Sequence, residues 1–295
     1  SLSRRFLTPM RDAGIEFRPF MPGQTLRERW SINLRSHRKI VVADGRIGFT
    51  GGMNIGDEYL GRNRELGFWR DTHLRITGPA VVQLQQVFAD DWFFATGQEL
   101  TQPDLYPPPP PASGLTAQVV SGGPVGEVRA FHSLMFAAIN EARDRVTLAT
   151  SFFVPTDALC MALETAALRG VRVRLMVPGR SEHPWTVHAG RSYYETLLRA
   201  GADIHEYRRG ILHSKTLTID GCWSLVGSPN FDARSLLLNF EVGVAVYDEG
   251  FARQLERDFE LDLEHARTIR ADDWGRRKLH HVFVENLCRL FSPVM

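Results

Sequence analysis

Two histidines, each followed two residues later by a lysine, are the side chains best placed to do chemistry: His37 with Lys39, and His213 with Lys215. Residues two apart on an extended chain project from the same face, so each pair can enter one site together. An imidazole can act as nucleophile or as proton carrier, and an ammonium can neutralise a developing oxyanion. The surroundings repeat as well. Residues 37–54 read HRKIVVADGRIGFTGGMN and residues 213–230 read HSKTLTIDGCWSLVGSPN. Counted from each histidine, Lys falls at +2, Asp at +7 (Asp44, Asp220), Gly at +8 and +14, and Asn at +17 (Asn54, Asn230). Six identities at fixed offsets do not arise from helix or strand periodicity, so the chain carries an internal duplication.

The duplicated unit predicts its own local structure. The apolar residues after each lysine (Ile40, Val41, Val42; Thr216, Leu217, Ile219) are strand formers. Asp-Gly between two such runs signals a hairpin, which gives Asp44 and Asp220 to the turn. GGMN and GSPN follow the second strand, where backbone N–H groups and the amides of Asn54 and Asn230 can approach an anion. Copy one has Gly52 where copy two has Ser228, so one hydroxyl is offered on one side only. Arg35, two before His37, has the parity to face the same pocket. Asp71 lies 34 residues after His37 and Glu241 lies 28 after His213. Each opens a strand-like run and is expected to orient the histidine of its own copy. Pseudo-two-fold packing of the copies would gather two His, two Lys and two Asn around one phosphate. One imidazole would attack phosphorus and the other would serve the leaving and entering oxygens. No acidic metal cage is visible in the sequence, so metal-free chemistry is expected.

The elements that must hold these residues are readable in outline. Helical periodicity covers 79–95, 129–143, 157–169, 190–200 and 251–268, and β-rich runs lie at 145–149, 171–177, 203–207, 216–219, 223–226 and 242–247. Their alternation through 129–207 predicts an α/β unit on a largely parallel sheet. Residues 103–114 (PDLYPPPPPASG) form a Pro-rich linker between a first lobe, 1–102, and a second, 115–295. Copy two has about 70 more residues ahead of its motif than copy one, carrying two strand–helix units. The first lobe is therefore expected to be truncated at its N-terminus, and the missing part to hold any membrane anchor. With 35 basic and 34 acidic residues the net charge is +1, which gives no support to a nucleic-acid binder. Three scattered cysteines indicate neither a disulfide framework nor a zinc site.

The paired HxKxxxxD motifs resemble the phospholipase D superfamily. The wording HRKIVVADGRIGFTGGMNIGDEYLG, WRDTHLRITGPAV and GSPNFDARSLLLNFEVGVAVYD is similar to that of bacterial cardiolipin synthases. The resemblance covers roughly residues 10–295. It implies two pseudo-symmetric α-β-α sandwich lobes sharing one active site. It makes His37, Lys39, Asp44, His213, Lys215 and Asp220 the candidate catalytic set, with His37 as nucleophile and His213 as acid then base. Asn54, Ser228, Asn230 and Arg35 are the candidate phosphate and substrate contacts. It implies transfer of a phosphatidyl group from one phosphatidylglycerol to another without a cofactor, at the surface of the bacterial inner membrane. Phosphatidylethanolamine is a second candidate donor. Hydrolysis of phosphatidyl esters is the alternative, and a nuclease of the same fold is a third, disfavoured by the balanced charge.

Other features read more plainly. His132 belongs to a packed helix, and 183–188 (HPWTVH) is expected to be a loop that can rim the pocket. Residues 1–40 hold nine basic and three acidic side chains, a solvated face or a patch for anionic headgroups. The tail 276–291 is amphipathic, with Leu279, Phe283, Leu287 and Leu290 on one face. Packing on the second lobe is its expected role, and a seat in the membrane interface is the alternative.

Overall fold

The computed structural model describes residues 3–20, 35–62, 66–109, 114–124 and 129–291. Much of the basic patch (21–34) and part of the Pro-rich linker (110–113) lie outside the described residues.

The first copy opens with helix α1 (Arg4–Asp12) and a two-residue strand, β1 (Arg35–Ser36). The hairpin β2 (Ile40–Ala43) and β3 (Ile47–Gly51) follows, then β4 (Phe68–Arg70), β5 (His73–Thr77) and helix α2 (Ala80–Thr96). Asp44 and Gly45 take φ values of 52° and 63°, and Asp220 and Gly221 take 51° and 63°, so both hairpins turn on the same left-handed pair. Strands β2, β3 and β5 form a small antiparallel sheet. Helix α2 lies on it and buries Val81, Leu84 and Val87. Leu84 and Val87 pack with Ile40, Val42 and Ile76, and also with Val119 and Val242 of the second copy. Among the described residues the first copy thus has little core of its own and is closed by the second copy.

Beyond the linker come β6 (Thr116–Gly122), α3 (Ala130–Glu141), β7 (Arg145–Ala149), β8 (Phe153–Val154), α4 (Asp157–Leu168) and β9 (Arg172–Pro178). They are followed by α5 (Pro184–Arg191), α6 (Tyr194–Arg199), β10 (Asp203–Tyr207), β11 (Gly210–Leu212), and the hairpin β12 (Thr216–Ile219) and β13 (Trp223–Gly227). The chain continues through β14 (Phe231–Asp232), α7 (Ala233–Leu237), β15 (Asn239–Tyr247), α8 (Glu249–Leu263), β16 (Ala266–Ile269), α9 (Ala271–Trp274) and α10 (Leu279–Phe291). The large sheet runs β15-β13-β12-β7-β9-β10-β16, with β1 pairing the start of β15 and β6 pairing the rest of it. Its β7-β9-β10 centre is parallel, as the α/β alternation predicts, and the duplicated hairpin adds antiparallel strands beside it. The main core packs Leu159 and Leu163 of α4 and Leu197 of α6 against Leu175 and Ile204 of the sheet, all five with no exposed surface.

Several local expectations are corrected. The helix expected over 190–200 is two helices, because Pro184 after His183 starts one early and 192–193 break it. His183–His188 is therefore mostly helix and not a loop. The helix expected to reach 268 ends at Leu263, because 266–269 pair antiparallel with β10 and extend the sheet. The amphipathic tail is helical and packs beside α5. Its Glu285 is buried and ion-paired to Arg277, while Leu279, Phe283 and Leu290 remain exposed.

Candidate active site

Each His-x-Lys segment sits just ahead of its hairpin and not within a strand: 37–39 join β1 to β2, and 213–215 join β11 to β12. What fixes them is a pair of bridges between the copies. Strand β1, which leads into His37, runs parallel to the start of β15, which leads into Glu241. Strand β11, which leads into His213, runs parallel to β4, which leads into Asp71. The His37 N–H donates to Phe240 O at 2.8 Å, and the His213 N–H donates to Arg70 O at 2.7 Å. One arrangement is thus made twice, related by an approximate two-fold.

The consequence overturns the pairing expected from sequence. His37 Nδ1 lies 3.0 Å from Glu241 Oε2, and His213 Nδ1 lies 2.7 Å from Asp71 Oδ2. Each carboxylate serves the histidine of the other copy. The reason is topological: the strand carrying each carboxylate is paired with the strand entering the opposite histidine, so it cannot also reach its own. A bond from Nδ1 to a carboxylate fixes the tautomer and leaves Nε2 for chemistry.

The two carboxylates are held differently. Glu241 is 1% exposed, and it accepts hydrogen bonds from Ser228 Oγ at Oε2 and from Asn239 Nδ2 at Oε1. Burial pushes its carboxyl up, but His37, the Ser228 hydroxyl and Lys39 outweigh that and hold it below the usual range. Asp71 accepts the Thr72 N–H at Oδ1, and a Cβ on Gly52 would stand 2.1 Å from that same oxygen. Gly52 and Ser228 mark equivalent points, since their N–H groups donate to Thr72 O and Val242 O. One gives its carboxylate space and the other gives it a donor. Ser228 is therefore not an open phosphate contact: it is fully buried, and its hydroxyl is spent on Glu241 and the Val242 backbone.

Lys39 Nζ donates to His37 O at 2.7 Å, and Lys215 Nζ donates to His213 O and to Ser151 Oγ. Burial lowers Lys39 to about 8 and Lys215 to about 7, and each ammonium is partly restored by both Asp71 and Glu241. Lys39 also acts on Lys215 and on His213. The charged groups of both copies therefore share one electrostatic site. His213 is pushed down to about 4 by burial and then by Lys215, with Asp71 opposing.

The asparagines diverge. Asn230 is buried and accepts from Ser151 Oγ, which extends the chain Lys215–Ser151–Asn230. Asn54 is exposed and donates to the Tyr59 hydroxyl at 2.6 Å. Asp44 and Asp220 stand away from the histidines. The Asp220 carboxylate accepts backbone N–H groups of Arg143, Asp144 and Arg145, and the turn at Gly45 abuts Leu105 and Pro107. Both belong to the turns, as the hairpin reading gave, and not to the catalytic set.

Sequence reasoning missed several contributors. Tyr59 packs edge-on and Trp69 packs at a tilt against His213, with ring centroids 5.7 and 5.5 Å away. Arg70 grips Asp262 with Nε and hydrogen-bonds the Asp71 carbonyl, which anchors that strand end. A cavity of about 470 Å³ opens beside His37, with Arg35, His183, Trp185, Asp232 and Arg234 in its wall. Apart from Arg35 and the 183–188 segment, which rims the pocket as expected though as helix and not loop, these carry no repeat partner that spacing could have revealed. Arg35 does face this cavity, as its parity predicts. His132 donates to or accepts from Thr156 Oγ1 on a packed helix, away from this wall.

Comparison with known proteins follows the same line. A family model described as "Cardiolipin synthase, PLD-like domain" matches residues 135–263. The chain is 43% identical over 300 residues to cardiolipin synthase 2 of Bacillus cereus, covering 100% of this chain and 58% of that protein. It is 42% identical over 297 residues to cardiolipin synthase of Geobacillus kaustophilus, covering 100% of this chain and 59% of the relative. The chain thus spans less than two thirds of the length of these relatives. Among solved structures, phosphatidylserine synthase of Haemophilus influenzae superposes with a TM-score of 0.67 over 89% of this chain and 70% of that one, at 15% identity. That likeness shows the fold.

Proposed function

Because the chain belongs to the phospholipase D superfamily, we propose that it is the catalytic region of a cardiolipin synthase, with lobes 1–102 and 115–295 joined by the 103–114 linker. The observation that carries the reading is the crossed pair of His–carboxylate contacts, His37 with Glu241 and His213 with Asp71, with each lysine interacting electrostatically with both carboxylates.

The reaction follows from those groups. A phosphatidylglycerol phosphate binds against Lys39 and Lys215, and its negative charge counters the two ammonium groups that help depress His213. His213 then holds a proton. Nε2 of His37 attacks phosphorus, the P–O bond to glycerol breaks, and His213 protonates the departing oxygen. A second phosphatidylglycerol enters. Its primary hydroxyl gives its proton to His213 as its oxygen forms a new bond to phosphorus, and the P–N bond to His37 breaks. The products are cardiolipin, glycerol and the starting enzyme. The lysines neutralise the phosphoryl oxygens throughout, and we propose that the chemistry needs no metal. Asn230 holds Lys215 through Ser151 and so acts at one remove. Among the described residues no helix is long and apolar enough to cross a membrane. The exposed Leu279, Phe283 and Leu290 of α10 suit a bilayer surface, and we place the work at the inner membrane.

Incubation of the whole protein with labelled phosphatidylglycerol in mixed micelles tests this. Cardiolipin with stoichiometric glycerol is expected. Phosphatidic acid as the dominant product would make it a hydrolase, and cleavage of oligonucleotides without lipid turnover would make it a nuclease. Loss of labelled lipid from phosphatidylethanolamine would add that donor.

A further inference from the structure

The two histidines stand in unlike surroundings, although the elements around them correspond. Trp69 lies two residues before Asp71, and Asn239 lies two before Glu241. Both occupy the same step of the equivalent bridges, Trp69 opposite Ile211 and Asn239 opposite Arg35. Tyr59 follows Asn54 by five residues and Ser235 follows Asn230 by five, each on a short helical turn, Asp57–Leu60 in one copy and α7 in the other. Beside His37 the small polar pair Ser235 and Asn239 lines the cavity of about 470 Å³. Beside His213 the corresponding places hold two aromatic rings, their centroids 4.8 Å apart, and both pack against the imidazole. The His213 side chain keeps 13% of its surface exposed, against 27% for His37. Trp69 is kept there at a cost to the fold. Its Nε1 is buried with no hydrogen-bond partner among the described residues, where a phenylalanine would leave no polar atom unpaired.

In the function proposed above, on which this inference rests, the leaving and the entering alcohol both meet phosphorus on the His213 side. Between the two steps the phosphatidyl group is bonded to His37. Any hydroxyl that then reaches phosphorus and gives its proton to His213 completes the reaction. A second phosphatidylglycerol gives cardiolipin. Water gives phosphatidic acid: its oxygen bonds to phosphorus, one proton passes to His213, and the P–N bond to His37 breaks. The bonds made and broken are of the same kind, so the outcome is decided by what can stand beside His213. We propose that Tyr59 and Trp69 form a water-excluding wall at His213, and that this wall makes the enzyme a transferase and not a hydrolase. A water held at this place needs room and two or more polar partners. The two rings fill the room with carbon, and Asn54 Nδ2, donating to the Tyr59 hydroxyl, holds one of them in place. The acceptor brings its hydroxyl on a glycerol whose CH groups pack against aromatic surface, so it enters a dry site where water gains little.

The ratio of phosphatidic acid to cardiolipin formed by the whole protein from labelled phosphatidylglycerol, in mixed micelles made up in ¹⁸O-water, tests the wall. Tyr59→Ala and Trp69→Ala are each expected to raise that ratio by about tenfold, the effect of one hydrogen-bonded water gained at His213, with ¹⁸O in the phosphatidic acid. Tyr59→Phe keeps the ring and loses only the hydroxyl, so its ratio should stay within about threefold of wild type. A merely structural role would lower both products together and leave their ratio unchanged. Tyr59 is half-buried on a short turn, so Tyr59→Ala reads the wall even where Trp69→Ala melts early. An unchanged ratio in both alanine variants overturns the wall. So does a Tyr59→Phe ratio as high as that of Tyr59→Ala, which would give the effect to the hydroxyl and not to the ring. A wild-type protein that forms no cardiolipin refutes the proposed function instead.

Discussion

Exchanging Gly52 and Ser228 between the copies is expected to harm the enzyme unequally. A Cβ at position 52 would lie 2.1 Å from Asp71 Oδ1 and 2.8 Å from His213 O, where ordinary contact begins near 3.4 Å. In Gly52→Ser the carboxylate must retreat by about 1.3 Å, because the backbone oxygen opposite cannot give way. The Asp71–His213 contact, 2.7 Å in the native site, then opens beyond hydrogen-bond reach. Losing a charge-assisted bond of about 1.5–3 kcal/mol corresponds to about 10- to 150-fold in rate. Ser228→Gly removes one donor from Glu241, which keeps His37 and Asn239. Its cost should be about 1 kcal/mol, or roughly fivefold. Initial rates of cardiolipin formation in mixed micelles, with melting temperatures to confirm folding, measure both. The reasoning fails if Gly52→Ser keeps more than half of wild-type turnover, or if Ser228→Gly is the more damaging.

Other expectations follow from the same geometry. Asn230→Ala breaks the buried Lys215–Ser151–Asn230 chain and should lower turnover about 10- to 30-fold, through about 1.5–2 kcal/mol. Asn54→Ala touches an exposed contact to Tyr59 and should stay within about threefold by the same assay. Lys215 has its folded-state value lowered to about 7 from 10.5, so the unfolded chain holds more protons between those values and stability gains from this group as pH rises. Lys215→Met should therefore raise the melting temperature more at pH 7 than at pH 10, as differential scanning fluorimetry reads it, while abolishing turnover. Leu84→Ala should destabilise by about 2–5 kcal/mol in urea unfolding, because Leu84 joins the first lobe to Val242 of the second.

The duplication made most of the site legible before any fold was in hand. Six identities at fixed offsets located both His-Lys pairs and both hairpin turns, because the turn needs a left-handed Asp-Gly pair and spacing records that requirement directly. Asp71 and Glu241 were also identifiable, as carboxylates at the mouths of strand-like runs. Their partners were not. Local spacing associates each with the histidine before it, whereas β1 pairing with β15 and β4 pairing with β11 are contacts between residues far apart in the chain. Tyr59, Trp69 and Arg234 lie outside the repeated words, so nothing periodic pointed to them. The strong periodicity of α8 carries a helical expectation on into 266–269, where polar alternation is weak, and only the pairing with β10 makes β16 a strand.

The central claim is that both copies act on one phosphorus, with His37 as the attacking group. Rapid quench of the full-length protein with donor labelled at phosphorus, followed by peptide mapping of acid-labile, base-stable label, tests it most directly. The account predicts label on His37, retained and long-lived in His213→Ala, and absent in His37→Ala. Label on His213, or full turnover by either variant, would contradict it.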